Sequence, residues 1–85
     1  MAARANYAGA VTNLQKAVQL SEGKDWKPLD MLAHAYNKAG RFAEAEQSEK
    51  KALELVVAQR DAELEKTLRQ NLKQYEQQAG QARGR

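Results

Sequence analysis

The sequence predicts an all-α fold, and three observations carry that reading. Leu, Ala, Gln, Glu, Lys and Arg dominate the chain, and all of them enter helices at low cost. β-Branched residues are few, so strands have little to build on. Apolar residues recur at steps of three and four, which is the period of one helix face. At 85 residues, one domain with a modest core is expected.

The first element lies in the stretch ANYAGAVTNLQKAVQL. Tyr7, Ala10, Val11, Leu14, Ala17 and Val18 form its apolar stripe. Gly9 weakens that helix by up to ~1 kcal/mol relative to alanine. Gly23, in SEGKD, is a natural left-handed stop. The second helix has Asp25 as its cap, able to accept a backbone N–H bond in the first turn. Pro28 then falls where a missing N–H costs little, although it disfavours helical backbone at Lys27 and so sets an expected start near residue 28. Leu29, Leu32, Ala33 and Tyr36 mark its buried side, and Gly40 ends it.

A third helix is expected from Arg41 to about Arg60, buried through Phe42, Ala45, Ala52, Leu53, Leu55 and Val56. Asp61 then caps a fourth, with Glu63 and Glu65 near its positive end and a stripe of Leu64, Leu68, Leu72 and Tyr75. No glycine or proline divides these two helices, so one continuous helix over residues 42–78 is the competing arrangement. The last residues, GQARGR, are expected to fray.

Around Gly40 the stretch HAYNKAGRFAEAE sets small residues beside two aromatics. Helices approach closely only where side chains are small, and Ala33, Ala45 and Ala52 supply such a contact, with Tyr36 and Phe42 filling the space beside it. These positions resemble a tetratricopeptide repeat, a 34-residue helix hairpin. Leu32 and Ala33 stand at that family's Leu-Gly pair and Tyr36 at its tyrosine. Gly40 stands at the inter-helix turn, Phe42 at the aromatic after it, and Ala45 and Ala52 at the two small positions of the second helix. Tyr7, Ala10 and Ala17 repeat the spacing of Phe42, Ala45 and Ala52, and KAVQL echoes KALEL.

The resemblance implies antiparallel hairpins stacked as a right-handed superhelical fragment of about four helices. Residues 2–21 would be the second helix of a preceding repeat, whose first helix is absent or lies in a longer parent protein. Residues 28–60 would be one full repeat, residues 61–79 a capping helix and residues 80–85 a flexible tail. Two positions depart from the family pattern. Val57 stands in place of a proline, implying a third helix that runs past the usual stop. Glu49 stands in place of a large residue, and is expected to be partly exposed or paired with Arg69 or Lys73.

Charge and motifs narrow the function. The net charge of +3 is spread along the chain, with no basic helix face, so nucleic acid is not an expected partner. No apolar run nears the ~20 residues of a membrane helix, so no membrane insertion is expected. There is no cysteine, hence no disulfide, thiolate metal site or cysteine nucleophile. The start lacks the apolar stretch of a signal peptide. A soluble, cytoplasmic setting is favoured, with the compartment left open. His34 is the sole histidine, and neither a glycine-rich phosphate loop nor an H-E-x-x-H pair occurs. The chain therefore reads as a non-enzyme needing no cofactor and no metal.

A binding role is better supplied. The resemblance places ligand-contacting positions at Lys27, Asp30, His34, Asn37 and Lys38. Helical spacing sets Asp30, His34, Asn37 and Lys38 on one face, opposite Leu29, Leu32 and Tyr36. The expected partner is a protein or peptide. That face could equally be plain solvated surface. His34 replaces the asparagine expected of carboxylate-clamp repeats, which argues against a clamp. Trp26 is expected to pack over the end of the core. A different role is a structural or oligomerisation terminus of a larger repeat-containing protein, which could carry an enzyme. If the first helix lacks its hairpin partner, Tyr7, Val11, Leu14 and Val18 are left for self-association, in a homodimer or a domain swap.

Overall fold

A computed structural model describes the backbone of residues 2–83 and the side chains of residues 7–81. It is all-α. Helices α1 (Ala2–Leu20), α2 (Trp26–Lys38), α3 (Phe42–Gln59) and α4 (Ala62–Arg83) follow one another through short turns. Each packs chiefly on its neighbours in the chain. The Cα envelope is a flattened 38 × 29 × 16 Å.

Packing partners show that successive helices run antiparallel. Leu29, early in α2, clusters with Ala52, Leu53 and Val56, late in α3, while Tyr36, late in α2, clusters with Ala45, early in α3. The same reversal joins α3 to α4, where Ala45 shares a cluster with Tyr75 and Val56 with Leu68. Ala33, Ala45 and Ala52 are fully buried, the small residues that a close helix crossing requires. At that crossing the Ser48 hydroxyl donates to the Leu29 carbonyl at 2.7 Å. Two apolar clusters result, joined through Val18.

The turns follow local chemistry. Asp25 caps α2, its Oδ1 accepting from the Lys27 N–H at 3.1 Å, a contact worth about 1 kcal/mol. The helix thus begins at Trp26, before the start expected near residue 28, because Pro28 lies in the first turn where no N–H bond is needed. After α2, Gly40 is left-handed with φ 82°, and the Arg41 N–H reaches back to the Tyr36 carbonyl at 2.8 Å. The Tyr36 hydroxyl accepts from Gln15 Nε2 at 2.8 Å, which ties α2 to α1, and the Arg41 guanidinium lies 4.7 Å above the Tyr36 ring. Phe42 is only half-buried, so Tyr36 rather than the pair fastens this hairpin.

The α1 stop differs from expectation by one residue. The Glu22 N–H donates to the Gln19 carbonyl and the Gly23 N–H to the Val18 carbonyl, each at 3.0 Å. This pattern places Glu22, with φ 58°, where a glycine is usual. Gly23 is left-handed as well, at φ 70°.

Between α3 and α4 the chain breaks rather than running on. Arg60 is left-handed at φ 61°, and Asp61 Oδ1 accepts from the Leu64 N–H at 3.1 Å to cap α4. Helix α4 continues through Gly80 to Arg83, so the expected frayed tail is helical as far as it is described. Gly84 and Arg85 lie outside the described residues. Trp26 is half-buried against the second apolar cluster. No helix among the described residues is long and apolar enough to cross a membrane.

Candidate functional site

Antiparallel stacking leaves one face of α2 uncovered between α1 and α4, and a groove of about 540 Å³ forms there. Helix α2 contributes Asp30, Met31, His34, Ala35, Asn37 and Lys38 to its lining. Ala10 and Leu14 of α1 form one wall, and Asn71, Gln74 and Tyr75 of α4 form the other. Four of the five residues expected on the binding face, Asp30, His34, Asn37 and Lys38, therefore meet in one concavity. Lys27 does not line it. It sits exposed in the first turn of α2, where its backbone N–H is committed to Asp25.

The residues expected to self-associate are placed differently from that expectation. Val11 is buried at 3% exposure against α2, and Leu14 and Val18 pack on the same cluster. Tyr7 is half-buried. Pairing of α1 with α2 thus covers Val11 fully and the other three in part.

Beneath the groove lies a carboxyl group that sequence reasoning misplaced. Glu49 is neither part-exposed nor paired with a base. It is 0% exposed, and among the described residues it has no ion pair. Arg69 instead bonds Glu65 on its own helix at 2.9 Å. The reason is register. Ala45, Ser48, Ala52, Leu53 and Val56 form the buried face of α3, and Glu49 falls among them one turn after Ala45.

The electrostatics of Glu49 are unusual. Neither of its carboxylate oxygens accepts a hydrogen bond. Burial, reinforced by the neighbouring Asp30 carboxyl, pushes its pKa up from 4.5 to about 9, with Asn71 opposing the shift. At neutral pH the group is therefore a carboxylic acid, and its own O–H supplies the donor that the surroundings lack. Tyr75, across the groove floor, is pushed up to about 12 by burial and by the fields of Glu49 and Asp30. Asn37 Oδ1 is likewise buried without a partner.

The α4 wall could not be read from sequence, because Asn71 and Gln74 belong to no motif and reach α2 only through folding. Glu49 did leave a signal, as a charged residue in the register of a buried stripe. No family model, no curated protein and no solved structure matches the chain.

Proposed function

We propose that the chain is a protein-interaction module, a tetratricopeptide-like array end that seats a peptide or a segment of a partner protein along α2. One observation carries the reading: Asp30, His34, Asn37 and Lys38 converge on a single groove walled by α1 and α4. The helix face offers polar anchors, while Leu14, Met31 and Ala35 offer apolar contact beside them. Such mixed, concave linings are characteristic of ligand sites. The closely packed alanine crossings behind α2 hold the anchors in place before binding, which limits the entropy lost on association.

The test is selection of displayed random peptides on the folded chain, followed by affinity measurement by fluorescence anisotropy. The double variant His34→Ala with Lys38→Ala is expected to lose about tenfold or more in affinity for the selected peptides, with its helical circular dichroism unchanged. Lys50→Ala, on an exposed position away from the groove, is the control. Selected peptides that bind the double variant as tightly as the parent chain refute the groove assignment.

A further inference from the structure

We propose that the groove recognises a basic side chain of its partner, whose cationic head lies against Asp30 with Glu49 as the second carboxylate behind it. The inference rests on the groove being a peptide site and specifies what that peptide must carry. Its foundation is an imbalance of hydrogen-bonding groups. No protein group donates to either oxygen of the fully buried Glu49 carboxyl or to the Oδ1 of Asn37. Buried polar atoms in folded proteins are nearly always satisfied, and the Glu49 carboxyl achieves this only by keeping its own proton, so the acceptors around this groove call for a donor-rich ligand.

The surroundings narrow the donor to an organic cation. Asp30, Asn71 and Tyr75 line the groove and also act on Glu49, so the orphan carboxyl stands directly behind the floor. Among the described residues no group of three His, Cys, Asp or Glu side chains is placed to hold a metal ion. Leu14, Met31 and Ala35 provide an apolar path for the alkyl stem of arginine or lysine, which buries its methylenes while its head seeks carboxylates.

Binding then exchanges one cation for another. In the free chain Glu49 holds a proton. As the ligand's guanidinium or ammonium arrives, the O–H bond breaks, the proton leaves to solvent and the carboxylate formed pairs with the incoming charge. The titratable groups facing Glu49 are Asp30 from α2, which disfavours its ionisation in the absence of ligand, and Tyr75 from α4, whose own pKa is raised by an ionised Glu49. His34 and Lys38 stand on the exposed, salt-screened side of the lining.

The probe is N-acetyl-arginine amide, with N-acetyl-citrulline amide as its uncharged isostere, each titrated to millimolar concentration into nitrogen-15-labelled chain. Expected are saturable shifts of the Asn71 side-chain amide with the arginine probe, and binding of citrulline weaker by roughly tenfold or more. Glu49→Gln and, separately, Asp30→Asn should each erase the preference, with folding checked by circular dichroism. Calorimetry in two buffers of different ionisation enthalpy should show proton release on binding. Absence of saturable shifts, or equal binding of the two probes, overturns the inference. So does a preference that survives in both variants. If these probes fail while selected peptides still depend on His34 and Lys38, the cation site is wrong and the peptide groove stands. If the peptides ignore the groove, the underlying reading fails on its own test.

Discussion

Replacing Glu49 with glutamine isolates the energetic effect of one buried proton. In the folded chain the Glu49 carboxyl holds its proton up to about pH 9, against an ordinary 4.5 in the unfolded chain. Between those values the folded state binds more protons than the unfolded state, so stability is highest below 4.5 and falls as pH rises. Each pH unit in that window is worth about 1.4 kcal/mol, so raising the pH from 5 to 7.5 removes about 3 kcal/mol. A small domain has only about 5–15 kcal/mol of stability in all, so the effect is large. Glutamine keeps the shape, cannot ionise and offers an N–H donor towards Asp30. Urea unfolding followed by circular dichroism at several pH values is the assay. The parent chain should lose ~1 M or more in midpoint over that range, and the difference between parent and Glu49→Gln should grow steadily with pH. Contributions common to both proteins cancel in the difference. A difference that stays constant with pH would refute the assignment of a buried, protonated Glu49.

Three further outcomes follow from backbone and packing. Glu22→Gly, at a left-handed position with φ 58°, should raise stability by about 1 kcal/mol, read by thermal or urea unfolding. Gly80→Ala should also stabilise, by about 0.5–1 kcal/mol, because a methyl group there meets nothing within 4 Å and the residue is helical. Ala45→Leu, at a fully buried crossing, should destabilise by about 1–3 kcal/mol or more and leave a protein with a lowered urea midpoint.

What the sequence disclosed depended on how local each cause was. The start and stop of α2 are written in Asp25, Pro28 and Gly40, whose effects extend over one turn. Asp61 likewise announced the break before α4 even without a glycine. Glycine misled where its role is set by context. Gly23 is left-handed in the turn that ends α1, as expected, but shares that conformation with Glu22 before it, and Gly80 lies inside a helix that continues. The α2 side of the groove was legible because helical spacing alone puts Asp30, His34, Asn37 and Lys38 together. Its α4 wall was not, because Asn71 and Tyr75 reach the site through the packing of α3 between distant segments. Glu49 shows the limit most clearly. A surface pairing was the ordinary expectation for a glutamate, and only its place in the Ala45–Ala52–Val56 register revealed the burial.

The sequential packing of the helices has a consequence for the groove. Its floor, α2, is clasped on both sides, by α1 and α3, whereas its walls are the two outermost helices, each backed chiefly by one neighbour. Amide exchange should accordingly be slowest in α2 and α3, with α1 and α4 opening in smaller, cheaper excursions. Each excursion of α4 draws Asn71 and Tyr75 away from Glu49 and admits water to its carboxyl. Hydration lets the acid ionise, and an ionised acid resists reclosure. Breathing of the outer helix and the charge beneath the groove should therefore be coupled, so that opening of α4, corrected for intrinsic exchange, becomes easier as pH rises towards 9.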